Sequence, residues 1–126
     1  MTIIGIGIDI IDIIRIQKII LNYKEKFAKR ILSKYEWQQY IISNNHINFL
    51  AKRFSIKEAA SKALGTGICS GIKFNQIELY HDQYGKPKIR FFNNALIQLK
   101  KIKCNFIHIS ITDEKKYVYS IVILEE

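Results

Sequence analysis

Two acidic side chains stand in this sequence where its patterns call for apolar ones. Asp9 falls in the run Ile3 to Ile10, Ile-Ile-Gly-Ile-Gly-Ile-Asp-Ile. At strand period Ile4, Ile6, Ile8 and Ile10 share one face, and Gly5, Gly7 and Asp9 share the other. The glycines leave backbone bare on that second face, so another element or a ligand can approach the carboxylate closely. Glu58 lies in a helical stripe that runs Ile47, Leu50 or Ala51, Phe54, position 58 and then position 61 or 62. A carboxylate there loses hydration and needs a cation or good donors. Each acid has a local explanation, Asp9 as the cap of the helix that follows and Glu58 as the i,i+4 partner of Lys62. The alternative brings the two together. Two ionised carboxylates about 4 Å apart repel by about 4 kcal/mol at an effective dielectric of about 20, so their convergence demands a cation. Two or three protein oxygens, completed by phosphate and water, is how Mg²⁺ is ordinarily held.

Other residues break their patterns less sharply. His108 sits on the polar face of an alternating strand, with Phe106, Ser110 and Thr112, opposite Asn105, Ile107, Ile109 and Ile111. A structural hydrogen bond and a functional role are both open to it. Gly65 to Gly71 lacks phosphate-loop spacing and follows a helix, which reads as a helix end plus turn. From Arg15 to Lys34 the chain carries seven Lys or Arg against Glu25 before the next acid. Such a face steers acidic partners, whether nucleic acid or an acidic protein, or is simply solvated.

These residues need elements to position them. A strand over Ile3–Ile10 precedes a short amphipathic helix from Ile13, and a second basic helical piece follows through Leu32. Ser33-Lys34-Tyr35-Glu36 has capping-box spacing and starts a helix that ends near Asn44-Asn45. Ile47 to Leu64 carries the strongest helical pattern, closed by Gly65. Phe74–Tyr80 and Lys88–Phe92 form a hairpin about Asp82-Gln83-Tyr84-Gly85. A helix over Asn93–Lys103 and a second hairpin, Asn105–Thr112 with Tyr117–Leu124, complete the order.

Composition sets the outer bounds. At 126 residues the chain is expected to be one domain, 1–126, and a two-domain enzyme is nearly excluded. A 48% hydrophobic and 12% aromatic content excludes intrinsic disorder, and 20 basic against 11 acidic residues gives +9. Cys69 and Cys104 have neither metal-site nor disulfide-framework spacing, and no segment is apolar enough to span a bilayer, so a reduced cytoplasmic location without export is expected.

Gly-Ile-Gly-Ile-Asp at Gly5–Asp9, with Arg15 following, and Phe-Ser-Ile-Lys-Glu-Ala-Ala-Ser-Lys-Ala-Leu-Gly at Phe54–Gly65 resemble the two signatures of the holo-acyl-carrier-protein synthases, small bacterial phosphopantetheinyl transferases. Glu36-Trp37, Phe49–Phe54, Gly65–Ile68, Gly85-Lys86-Pro87 and His108-Ile109-Ser110 extend the similarity in order along nearly the whole chain. The resemblance implies transfer of the 4′-phosphopantetheine arm of coenzyme A to a serine of apo-acyl carrier protein, with release of adenosine 3′,5′-bisphosphate, as a step of fatty acid biosynthesis. It implies Mg²⁺, or Mn²⁺ in its place, held by Asp9 and Glu58, with Lys62 toward the same phosphates to neutralise or protonate the leaving group. Glu58 and a water on the metal are the alternatives for taking the serine proton. Ser61, Lys62, Gly65, Gly85, Lys86, Pro87, His108, Ser110 and Arg53 are implied around the coenzyme, and Arg15, Lys26, Phe27 and Arg30 at the acidic carrier. Lysine stands at several places where the family has arginine, which implies salt-sensitive docking. The implied fold is α+β, helices packed on an antiparallel sheet, in a homotrimer with active sites between subunits. A small basic nucleic-acid-binding domain is the competing reading and a carrier-binding module without chemistry a third. Neither uses the two carboxylates.

Overall fold

β-Branched isoleucine favours extended chain, and Ile3–Asp12 forms strand β1 in a computed structural model that describes residues 1–126. The strand runs two residues past the expected end because Asp12, not Asp9, caps the helix that follows. Asp12 Oδ1 accepts from Ile14 N at 2.9 Å and starts α1 (Ile13–Tyr23). Helix α2 (Glu25–Ile31) follows directly. The predicted capping box is present at α3 (Lys34–Ile41), where Ser33 Oγ accepts from Glu36 N and Glu36 accepts from Ser33 N. Helix α4 (His46–Ala63) is capped by Asn45 and stops at Gly65, whose φ of +84° suits glycine.

The later half departs little from expectation. Phe74–Gln76 is a 3₁₀ turn rather than strand, and β2 (Ile77–His81) pairs antiparallel with β3 (Pro87–Phe91). Helix α5 (Asn93–Lys101) leads to β4 (Phe106–Asp113) and β5 (Tyr117–Glu125). β5 lies between β1 and β4, antiparallel to both, so the chain's first and last strands pair. The fold is α+β, with helices packed on an antiparallel sheet.

Helix α4 is the axis of the molecule. It was expected to bury one stripe; instead Leu50, Ala51, Arg53, Ser55, Ile56, Lys57, Ala59, Ala60, Ser61 and Ala63 are all buried, which surrounds it on several sides. Toward its C-terminal half it packs with β1, β5 and α5 around Ile56, Ala60, Leu64, Ile77, Leu99, Val122 and Leu124. Nearer its N-terminus it meets α1, α2 and α3 around Ile16, Ala28, Ile31, Tyr40 and Leu50. Each fully buried Ile or Leu contributes roughly 1.5–3 kcal/mol relative to exposure, so the two cores fix α4 at both ends.

The three-stranded sheet buries one face only. Gly7, Ile11, Val118, Ser120, Val122 and Leu124 turn to α4. On the other face Ile6, Ile8 and Ile10 are more than half exposed and stand opposite Ile123, Ile121 and Tyr119 of β5. His108, Ser110 and Thr112 of β4 continue the same rows.

Candidate active site

Glycine decides how near β1 comes to α4. A Cβ on Gly5 would collide with the Ala63 carbonyl, and one on Gly7 with the Ala59 carbonyl. The bare strip thus admits the helix backbone itself, and it brings Asp9 beside the turn of α4 that holds Glu58 and Lys62. Lys62 Nζ lies 3.3 Å from Asp9 Oδ1 and donates to the Ile8 carbonyl at 3.0 Å. The local Glu58–Lys62 ion pair is not formed, because the lysine reaches across to the strand.

The two acids share one electrostatic environment. Burial raises the Asp9 pKa, and Lys62, Ser55 and Arg15 pull it back only in part. Burial also raises Glu58, and the neighbouring Asp9 charge raises it further, against the pull of Lys62 and Arg15. Desolvation and a neighbouring like charge both disfavour the ionised form of a carboxyl, and a nearby cation offsets them. Asp9 Oδ2 is buried and has no hydrogen-bond partner, an acceptor that this chain leaves unsatisfied. No group of three or more His, Cys, Asp or Glu side chains converges anywhere. A pair of carboxylates without further protein ligands is a donor set that fits Mg²⁺, which keeps several waters, better than a closed structural metal site. Arg15, exposed on α1, brings a further positive charge to the same place.

A second group of predicted residues lies elsewhere. Lys86, Pro87 and His108 line a cavity of about 290 Å³ with Tyr80, Lys88, Ile89, Ile107 and Ile109, between the β2–β3 hairpin and β4. Pro87 also borders a smaller hollow of about 150 Å³ with Arg53, Lys52, His81 and Asp113. Arg53 is 6% exposed, its Nε has no partner, and its guanidinium lies 3.6 Å from the centroid of the Phe49 ring. Burial lowers its pKa to about 10, so it stays charged at neutral pH and presents an unused donor. Gly85, at φ +79°, makes the hairpin turn with Asp82, whose carboxylate accepts from Lys86 N and Tyr84 N.

Not every predicted contact points outward. Ser61 is fully buried and its hydroxyl donates to the Glu58 carbonyl at 2.8 Å, so it shapes the helix turn rather than facing a cleft. Gly65 is exposed beyond the end of α4. Ser110 lies on the open sheet face with His108, whereas Asp9 lies on the face toward α4. Within one chain, then, Asp9 and the His108 side chain project from opposite faces of the sheet, and the pocket lined by His108 lies at the β4 edge, where Ile107 and Ile109 also border it. On α2, Lys26, Phe27 and Arg30 line one groove of about 350 Å³ with Ile19 and Tyr23 of α1. Sequence reasoning missed Lys57 altogether. A lysine beside Glu58 reads as a solvated charge, yet it is wholly buried against Glu36.

Residues 5–122 match the family model of the 4′-phosphopantetheinyl transferase superfamily. The holo-(acyl-carrier-protein) synthase of Buchnera aphidicola subsp. Schizaphis graminum is 59% identical over 126 residues, covering all of both chains. Among solved structures, the holo-(acyl-carrier-protein) synthase of Neisseria meningitidis superposes with a TM-score of 0.92 at 36% identity, over 99% of this chain and 100% of that one. The Bacillus anthracis enzyme, solved in complex with CoA (3′,5′-ADP), gives 0.80 at 35% identity over 97% and 96%.

Proposed function

Because the chain belongs to the 4′-phosphopantetheinyl transferase superfamily, with holo-(acyl-carrier-protein) synthases as its relatives, we propose that it moves the phosphopantetheine arm of coenzyme A onto a serine of apo-acyl carrier protein. The observation that carries the chemistry is the meeting of Asp9 and Glu58 across the glycine strip, with Lys62 between strand and helix. In the reaction the serine oxygen bonds to the phosphorus of the arm, and the bond from that phosphorus to adenosine 3′,5′-bisphosphate breaks. The serine proton leaves to Glu58 or to water, and Lys62 meets the charge on the departing phosphate, either neutralising or protonating it.

Asp9 and Glu58 would hold Mg²⁺, with phosphate and water supplying the other oxygens. When bound, the ion screens the pyrophosphate and stabilises charge as it develops on the leaving group. Arg53 and Lys86 offer positive charge to the adenosine bisphosphate, His108 offers a hydrogen-bond donor, and Pro87 stiffens the chain next to Lys86. Arg15, Lys26, Phe27 and Arg30 form the face for the acidic carrier, with charge for steering and Phe27 for apolar contact.

One chain does not enclose the coenzyme, since Asp9 and His108 are separated by the sheet. The apolar rows Ile6–Ile123, Ile8–Ile121 and Ile10–Tyr119 ask for cover in the same region. In the homotrimer that the family resemblance implies, a neighbour covers these rows, and a second subunit's His108 and Ser110 would complete the site of Asp9 and Glu58. The test is direct: apo-acyl carrier protein is incubated with coenzyme A, Mg²⁺ and the protein, and the carrier is weighed. A gain equal to one phosphopantetheine is expected, and a carrier of unchanged mass with either Mg²⁺ or Mn²⁺ removes the reading.

A further inference from the structure

A fully buried lysine joins α4, the helix that carries Glu58, to the end of α2, the helix proposed above to face the carrier. Lys57 Nζ is 2.5 Å from Glu36 Oε1 and donates to the Ile31 carbonyl at 2.7 Å, with both charged side chains at 0% exposure. Glu36 is used at both ends: Oε1 also accepts from Ser33 N, and Oε2 accepts from Leu79 N of β2 at 2.9 Å. Burial lowers the Lys57 pKa, against the pull of Glu36. A buried ion pair is a poor way to gain stability, since well-packed apolar side chains often serve as well. It is a good way to fix one geometry.

The geometry concerned is that of α2. This helix has seven residues, fewer than a helix needs to persist in water by itself. Ala28 and Ile31 anchor one side of it, and the Phe27 ring meets Phe54 at 5.8 Å. Its last carbonyl, Ile31 O, lacks a continuing helix and receives the Lys57 ammonium instead. Lys26 and Arg30 project from the same two turns, and Glu58 follows Lys57 directly in α4.

We infer that Lys57 is a positioning residue that locks the carrier-docking helix α2 to α4, so that the carrier's serine arrives in register with Asp9 and Glu58. The inference rests on the transferase reading above. Lys57 touches neither substrate, so its loss acts on the carrier through α2.

The test compares wild type with Lys57→Met and with Lys57→Met/Glu36→Gln, the second free of an uncompensated buried charge. With coenzyme A and Mg²⁺ saturating, the KM for apo-acyl carrier protein is expected to rise about tenfold in both, while the KM for coenzyme A moves less than about threefold. Amide hydrogens of α2 should exchange faster in both variants than in wild type. A merely structural role lowers the active fraction, and hence apparent kcat, without moving the carrier KM. A folded variant with wild-type carrier KM, unchanged α2 exchange, or a double variant that fails to fold assigns the pair to folding alone and overturns the inference. Wild type that leaves the carrier unmodified fails the transferase reading instead, and α2 exchange then decides separately whether Lys57 fixes that helix.

Discussion

The fold disfavours the ionised forms of Asp9 and Glu58. Burial raises both, and their mutual repulsion adds to the rise at Glu58. A carboxyl whose folded pKa lies above its unfolded one stabilises the fold fully below the ordinary carboxylate range, and that contribution is lost as pH climbs through the raised value. In metal-free protein, Asp9→Asn and Glu58→Gln should therefore be at least as stable as wild type at neutral pH, with the difference shrinking as pH falls through the raised values and below the ordinary carboxylate range, where the wild-type acids are protonated too. Urea titrations at neutral and at acidic pH, with a chelator present, check this. Transfer should fall by about 10²-fold or more in each variant, since an interaction formed in the transition state is removed. Mg²⁺ should raise the wild-type melting temperature and leave the variants unmoved. A stable, inactive, metal-blind Asp9→Asn protein is the signature of a site built at a cost to stability. Wild-type rates in both variants would reject the metal assignment.

At the scale of elements, the strand–helix contact is the part most sensitive to one methyl group. Gly7→Ala would put a Cβ into the Ala59 carbonyl, which belongs to the backbone of the central helix and has nowhere to go. About 3 kcal/mol of destabilisation is expected, with activity lost even in the folded fraction because Asp9 moves from Glu58. Gly85→Ala makes a useful contrast, since φ is +79° but a Cβ there meets open space. It should cost about 1 kcal/mol, all of it backbone strain, as read from denaturant midpoints. The sequence made this contact legible, because two glycines and an acid alternate on a strand otherwise written in isoleucine. The capping box at Ser33–Glu36 and the stop at Gly65 were legible for the same local reason. What periodicity hid was the crowding of α4. A single apolar stripe predicts one buried face, whereas α4 has neighbours on several sides, so the stripe gives no sign that Lys57 is buried, and the local Glu58–Lys62 pair gives way to Lys62 reaching β1. Asp12 fills the capping role that was one of two readings of Asp9, because β1 runs two residues further, a boundary set by pairing of Ile11 and Asp12 with Val118 and Tyr117. Cross-strand pairing of chain ends leaves no local mark in the sequence.

At the scale of the whole molecule, Asp9 and His108 lie on opposite faces of one sheet, and the proposed trimer is what would join them. If Asp9 and Glu58 of one subunit work with His108 of its neighbour, the two groups of residues need not be intact in the same chain. Asp9→Asn protein and His108→Ala protein, each weakly active at most, should regain activity when mixed and allowed to exchange subunits. In a cyclic trimer assembled at random from equal amounts, a site is whole when the subunit giving Asp9 is of the His108→Ala type and the one giving His108 is of the Asp9→Asn type. That occurs at about one quarter of sites, so about a quarter of wild-type transfer is expected. No regain is expected if each chain works alone. The open isoleucine rows supply the matching control. Ile8→Lys places a charge opposite Ile121 at the centre of the apolar face and should yield monomers by sedimentation. Asp9, on the other face of the strand, keeps its partners in such a monomer, so Mg²⁺ binding should survive while transfer does not. Retained transfer by a monomeric Ile8→Lys protein would show that His108 is not borrowed from a neighbour.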